Sequence, residues 1–148
     1  MLSFGFSQAV DDYIIIGKEK IELAIQNWNE QEMLGARAHF ERALSLNTNT
    51  WLLHYYIAYC DNQLVNLSMS KHDKSQVKKY ANDGLDHLED AVEEKPDFAE
   101  AYAMMSSLYG TKIAVMPWAA FWYGPKSGRL MEKAMALEPD NPRINLIN

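Results

Sequence analysis

One short segment recurs three times along this chain, and this recurrence limits the possible folds more than any other feature. The copies are Phe40–Thr48, Leu88–Pro96 and Met131–Pro139. Each copy places an alanine three residues after a large apolar residue, and a proline or threonine five residues after that alanine. Self-similarity of this kind is typical of proteins in which each repeat is one supersecondary unit stacked on its neighbours. The chain is therefore expected to be a stacked array.

The residue types within each copy favour paired helices. Small residues at Ala43, Ala91 and Ala134 allow two helices to approach closely, and the large residue before each fills the space beside it. Proline lacks the amide that a continuing helix needs and restricts the residue before it, so it ends the second helix. Between residues 77 and 92 the apolar residues follow i, i+3, i+4, i+7 spacing, which predicts a helix.

These positions resemble the second helix of a tetratricopeptide repeat (TPR), whose pattern is A-x3-F-x2-A-x4-P. The matching residues are Ala36, Phe40, Ala43 and Thr48, then Gly84, Leu88, Ala91 and Pro96, and then Ser127, Met131, Ala134 and Pro139. Asp97–Gly110 resembles a TPR first helix, with Tyr102, Met105, Ser106 and Tyr109 at the positions of its W-x2-L-G-x2-Y pattern. Segment 101–146 is also similar to exported bacterial TPR-like proteins of unassigned function.

The resemblance implies an all-α fold, a right-handed α-α solenoid of about three helix pairs in a single domain over residues 1–148. Repeat 1 is predicted at about 9–48, repeat 2 at about 49–96 and repeat 3 at about 97–139, with the start of a further helix at 142–148. The anchoring alanines are 48 and 43 residues apart, whereas TPR units repeat every 34 residues. The surplus predicts two insertions between the helices of a pair, around Leu67–Gln76 and Lys112–Gly124.

The second insertion is the least generic part of the chain, because it carries Trp118, Phe121, Trp122 and Tyr123 within six residues. Gly124-Pro125 reads as the start of the helix that follows, with proline in its first turn. Two interpretations stay open for the four aromatic residues. They fold back over the helix ends as a plug, or some remain exposed as anchors for a partner, since tryptophan and tyrosine dominate binding hot spots.

TPR proteins commonly bind peptides along the concave face lined by their first helices. In repeat 2 that face is predicted to carry Leu52, Tyr55, Tyr59 and Asn62, in repeat 3 Glu100, Ala103 and Ser107, and in repeat 1 Ile21 and Ile25. This face is apolar and aromatic, and it lacks the lysine and asparagine with which some TPR proteins clamp a terminal carboxylate. Tyr55 and Tyr59 are equally open to interpretation as core residues. Tyr55, Tyr59 and Asn62, with the four aromatic residues of the insertion, are the candidate partner-binding residues.

Residue patterns for catalysis, cofactors or metals are not found. The four histidines, His39, His54, His72 and His87, show no ligand spacing such as H-E-x-x-H, and no phosphate-binding glycine loop or G-x-S-x-G motif occurs. The only cysteine, Cys60, lies in an apolar run and is expected to be buried. The chain is therefore predicted not to be an enzyme and to hold no cofactor or metal.

Charge and hydropathy narrow the partners further. A net charge of −6 argues against nucleic-acid binding, which needs a basic surface. No run reaches the roughly 18 apolar residues that span a bilayer. Met1–Ala9 resembles the tail of a secretory signal peptide without its basic region, which indicates an exported or periplasmic protein. It reads equally well as an apolar cap on the first helix of a cytoplasmic protein.

The function that these patterns predict is a non-catalytic scaffold for protein–protein interaction, binding another protein or a peptide. The alternative is a carrier of a small apolar ligand or lipid, with the aromatic insertion closing a pocket between the helices. The C-terminal end is expected either to be covered by downstream sequence that this chain lacks or to associate with a second copy of the chain. The last full helix offers Leu130, Met131, Ala134 and Leu137 for packing, and only Ile144, Leu146 and Ile147 follow to cover it.

Overall fold

The computed structural model describes residues 3–46 and 50–147, and the side chains of residues 10–46 and 50–144. Within these residues the chain forms seven α-helices and one short 3₁₀ turn, with no strand. The elements are α1 (Ser3–Asn27), α2 (Glu30–Leu44), α3 (Trp51–Ser70), α4 (Lys74–Glu94), α5 (Ala99–Val115), the 3₁₀ turn (Pro117–Ala119), α6 (Ala120–Leu137) and α7 (Pro142–Ile147).

The helices stack as an α-α solenoid. The closest packing is within the pairs α1–α2, α3–α4 and α5–α6, and each pair then packs on the next through α2–α3 and α4–α5. The first helices of successive pairs touch only lightly, and α7 packs on α5. Each pair thus buries its apolar face on its neighbour, which is the arrangement that the repeated segment predicts.

The turns that join α1 to α2 and α3 to α4 have the same local structure. Trp28 and His72 have positive φ angles of 50° and 58° and reverse the chain after α1 and α3. The next residue then caps the following helix. The side chain of Asn29 accepts hydrogen bonds from the amides of Gln31 and Glu32, and that of Asp73 from the amides of Ser75 and Gln76. These caps satisfy amides that have no partner inside the helix, so the turns stay short.

Three prolines end helices, Pro96 and Pro139 as predicted and Pro117 within the segment predicted to be an insertion. Lys95, Met116 and Glu138 each precede a proline, and their φ angles of −132°, −136° and −139° lie outside the helical range. The proline ring excludes the helical conformation from the residue before it, and α4, α5 and α6 therefore end there. Thr48, the predicted counterpart in repeat 1, lies outside the described residues.

The prediction that the extra residues form insertion loops is wrong. The extra residues lengthen the helices, since α3 and α4 have 20 and 21 residues and are joined by a turn of three residues. Residues 69–75, which form the end of α3, the turn and the start of α4, are exposed. Their polar composition resembles that of a loop, yet they contain no proline or glycine that would interrupt a helix.

The predicted helix start at Gly124-Pro125 is also wrong. Helix α6 begins at Ala120, and Pro125 lies inside it. The residue before a proline is normally excluded from the helical region through a clash that involves its Cβ, and Gly124 has no Cβ. Pro117, and not Pro125, marks the change from α5 to α6.

The repeat anchors lie in the core. Ala43, Ala91 and Ala134 are all fully buried, and Ala134 is the only buried residue described in α6. Phe40 is also fully buried, and a Cβ added to Gly17 would come within 2.7 Å of its Cζ atom. Helix α1 can therefore approach α2 at this point only through a glycine. Cys60 is buried as expected, and burial raises the pKa of its thiol.

None of the described helices combines the length and the apolar character needed to cross a bilayer. The side chains of Met1–Ala9, on which the two interpretations of the N-terminus depend, lie outside the described residues.

Candidate functional site

The first helices of the three pairs and α7 enclose a groove of about 660 Å³, named here the tyrosine groove. Its lining consists of Lys18, Ile21, Glu22 and Ile25 from α1, Tyr55, Tyr56, Tyr59 and Asn62 from α3, Glu100, Met104 and Ser107 from α5, and Arg143 and Ile144 from α7. The lining residues of α1, α3 and α5 recur mainly at intervals of three or four. One face of each helix is therefore directed at the groove.

Three half-buried tyrosines of α3 form the wall of the groove. The ring of Tyr55 packs on Phe98 with centroids 4.7 Å apart, and the ring of Tyr56 stacks on the buried Phe40 at 5.0 Å. The ammonium group of Lys18 lies 5.0 Å from the centroid of the Tyr56 ring. These rings thus contact the core on one side and the groove on the other. Tyr55 and Tyr59 can therefore belong to the core and also face a partner in the groove.

A carboxylate orders one end of the groove. Glu100 accepts a hydrogen bond from the hydroxyl of Tyr55 at 3.3 Å, and from Arg143 and Asn141 at 3.2 and 3.4 Å. These contacts join α3, α5 and the segment leading into α7. Burial and the negative charge of Glu100 raise the pKa of Tyr55, so its hydroxyl remains a hydrogen-bond donor at neutral pH.

The groove lining also offers polar groups that are not used internally. Among the described residues, the hydroxyl of Tyr59 and the amide of Asn62 have no hydrogen-bond partner. Both groups donate and accept hydrogen bonds. A ligand in the groove would therefore meet an aromatic wall with two available polar groups, and a lining that carries two cations and two carboxylates.

The sequence-predicted concave residues are found here with two exceptions. Ile21, Ile25, Glu100 and Ser107 line the groove beside the tyrosines, and the role of Tyr55, Tyr59 and Asn62 in binding remains a prediction. Ala103 is fully buried and Leu52 does not line the groove.

Sequence reasoning missed Lys18, Glu22, Tyr56, Met104, Arg143 and Ile144. Lys18 and Glu22 continue the spacing of Ile21 and Ile25 on one helix face, so that spacing could have revealed them. No signal in the sequence placed α7 across the end of the groove.

The predicted aromatic loop is helical, and most of it is exposed. Trp118 is 72% exposed, Phe121 81% and Trp122 63%. Their rings contact one another, with centroids 6.1 Å apart for Trp118 and Trp122 and 5.5 Å for Phe121 and Trp122. This group, the exposed aromatic cluster, is neither a plug over the helix ends nor part of the lining of the tyrosine groove.

Tyr123 behaves differently from the other three aromatic residues. Its ring packs on Tyr109 at 5.3 Å, and the ammonium group of Lys112 lies 4.5 Å from its centroid. Lys112 is itself buried and donates a hydrogen bond to Asn82 at 2.8 Å. Tyr123 therefore helps to hold α6 on α5, while the exposed aromatic cluster faces solvent.

The fold has a counterpart among solved structures. The C-terminal TPR-containing domain of a Plasmodium falciparum protein, described as an FK506-binding protein, matches with a TM-score of 0.51 at 15% sequence identity, over 96% of this chain and 87% of that chain. No protein-family model and no curated protein sequence matches the chain. The predicted TPR-like fold is therefore confirmed, whereas the likeness to exported bacterial proteins receives no support from these comparisons.

Proposed function

We propose that this chain is a non-catalytic interaction scaffold that binds an apolar peptide segment of a partner protein in the tyrosine groove. The observation that carries the proposal is the meeting of three tyrosines with unused polar groups in one concave surface. Tyrosine supplies a large contact area at a low cost in conformational entropy, and it is enriched at binding hot spots.

The polar groups of the groove fit a peptide backbone. The amide of Asn62 can donate to a peptide carbonyl and accept from a peptide N–H at once, and the hydroxyl of Tyr59 can do either. The cations and carboxylates of the lining balance, so apolar side chains of the partner contribute more to affinity than its charge. The net charge of −6 then disfavours strongly acidic partners at long range.

The test is peptide selection from a random library, followed by affinity measurements on variants. Tyr59→Ala is expected to weaken the selected peptides by about thirtyfold, which corresponds to the roughly 2 kcal/mol of a hot-spot residue. Isothermal titration calorimetry gives the affinities. Tyr13→Ala is the matched control, because Tyr13 is a half-buried tyrosine of α1 outside the groove lining, and it should leave the affinity unchanged.

Two results would contradict the proposal. Selected peptides that bind Tyr59→Ala as tightly as the original chain would exclude the groove as their site. Peptides that are lost only when Trp122 is replaced by alanine would assign binding to the exposed aromatic cluster.

A second candidate is a carrier of a small apolar ligand, since about 660 Å³ lies within the range of small-molecule pockets. Native mass spectrometry of the purified chain distinguishes the two. A co-purifying apolar molecule that is lost in Tyr59→Ala would favour the carrier. If the chain also binds no selected peptide, the carrier replaces the scaffold as the proposed function.

Self-association through the C-terminal end forms the second part of the proposal. Helix α6 has one buried residue among those described, and Phe121, Trp122 and Leu137 are exposed along it. We expect sedimentation velocity over a concentration series to show a reversible dimer. Trp122→Ser should shift the chain to a monomer, whereas Ile15→Ser, at an exposed position of α1, should not. A strictly monomeric original chain at every concentration would refute this part.

A further inference from the structure

Two histidines and an aspartate meet at one point between α3 and α4, although their sequence positions show no ligand spacing. The Nδ1 atoms of His54 and His87 are 2.9 Å apart, and the Nδ1 atom of His54 is 3.5 Å from Oδ2 of Asp90. The donor atoms of all three residues lie within 4.8 Å of one another. We propose that His54, His87 and Asp90 form a binding site for a divalent transition-metal ion of the zinc type, which clamps α3 to α4.

The backbone holds these three residues in place before any ion arrives. His87 and Asp90 are three residues apart on α4, so they lie on one helix face, one turn from each other. His54 comes from α3, which packs against α4 more extensively than any other two helices of the described chain pack together. The ligands therefore come from two elements whose relative position is already fixed.

The two distances from His54 fit tetrahedral coordination after a small adjustment. Two ligands bound to zinc at about 2.0–2.1 Å are about 3.4 Å apart, which is close to the separation of His54 and Asp90. The two imidazoles have to separate by about 0.5 Å, which side-chain rotation can supply. Coordination through both Nδ1 atoms places the remaining proton of each ring on Nε2, so both rings bind in the neutral form.

The surroundings of the three residues suit a cation. The site opens into a depression of about 400 Å³ lined by His54, Asp90, Glu93 and Glu94. Glu94 is already engaged, because it accepts hydrogen bonds from the amides of Thr50 and Trp51 at 2.9 and 2.8 Å.

The ligand types select the class of ion. Two imidazoles and one carboxylate suit zinc, nickel, copper or cobalt, whereas magnesium and calcium prefer sets made of oxygen alone. Three protein ligands leave one position for water or for a group from a partner. The competing explanation for the short distance between the imidazoles is a plain hydrogen bond from one ring to the other.

The experiment titrates Zn²⁺ into chain treated with EDTA, with calorimetry for affinity and Co²⁺ absorption for coordination geometry. We expect one ion per chain, and at least a tenfold loss of affinity in His54→Gln and in His87→Gln. Asp90→Asn should also weaken binding, and its exposed side chain makes it the variant that keeps the fold. The control is His72→Gln in the exposed turn, which should bind as the original chain does.

Two outcomes would overturn the proposal. Equal Zn²⁺ affinity in the original chain, His87→Gln and Asp90→Asn would show that any binding lies elsewhere. No Zn²⁺ binding, together with an imidazole ¹⁵N spectrum of one donor ring and one acceptor ring, would reduce the cluster to a hydrogen bond between two histidines.

Discussion

Phe40→Ala is expected to lower the free energy of unfolding by about 3–5 kcal/mol, the usual cost of emptying a core aromatic site. Phe40 is fully buried, its ring stacks on Tyr56 at 5.0 Å, and it fills the space that Gly17 leaves beside α2. Its removal opens a cavity where α1, α2 and α3 meet. Urea unfolding followed by circular dichroism measures the change.

The matched control for Phe40 is another phenylalanine of this chain. Phe121 is 81% exposed, so at chain concentrations too low for self-association Phe121→Ala should change the free energy of unfolding by less than about 0.5 kcal/mol. Equal losses in the two variants would mean that the repeat register, which places Phe40 at an anchor position, is wrong. Because Tyr56 lines the tyrosine groove, Phe40→Ala should also weaken the selected peptides, whereas Phe121→Ala should not.

Arg37→Met is the second change with a large expected effect. Asp61 is fully buried in α3, and Arg37 of α2 donates to both of its oxygens, from Nε at 2.7 Å and from Nη2 at 3.3 Å. Loss of the guanidinium leaves a buried carboxylate without its counter-charge, at a cost of about 3–5 kcal/mol. Arg42→Met is the control, because Arg42 lies on the same helix and is exposed.

The destabilisation caused by Arg37→Met should increase with pH. Burial raises the pKa of Asp61 from the ordinary 3.8 to about 6, with Arg37 acting in the opposite sense. Because the pKa of Asp61 is higher in the folded chain than in the unfolded chain, protonation of Asp61 stabilises the fold. This stabilisation is fully present below the pKa of the unfolded state and is lost as the pH rises through about 6. Without Arg37 the pKa rises further, so the destabilisation should be larger at about pH 8 than at about pH 5.

The double variant completes this test. Arg37→Met combined with Asp61→Asn removes both charges, so it should be more stable than Arg37→Met alone at neutral pH. Unfolding in urea at both pH values gives the comparison. A destabilisation that is independent of pH, or a double variant less stable than the single one, would show that packing of the Arg37 side chain and not its charge sustains this contact.

Much of the fold could be predicted from the sequence, because it depends on properties of single residues and their chain neighbours. The spacing of Ala43, Ala91 and Ala134 predicted helix pairs, because the closeness of two helices is limited by side-chain size wherever they touch. Pro96 and Pro139 predicted where α4 and α6 end, since a proline restricts its neighbour in any context. Helical spacing likewise placed Tyr55, Tyr59 and Asn62 on one face of α3.

Tertiary structure alone decided how far helices extend and which distant residues meet. The polar stretch from residue 69 to 75 became two helix ends joined by a turn of three residues, because it holds no proline or glycine that would end the helices earlier, while composition alone suggested a loop. The aromatic segment became an exposed helical turn, because whether a ring is buried depends on what packs against it. His54 and His87 are 33 residues apart and came together because the stacking of α3 on α4 fixed their separation. The sequence therefore determined the helices and their repeat, because these depend on residues that are close together in the chain. The packing of the helices determined the groove, the buried ion pair and the histidine cluster, because these bring together residues that are far apart in the chain.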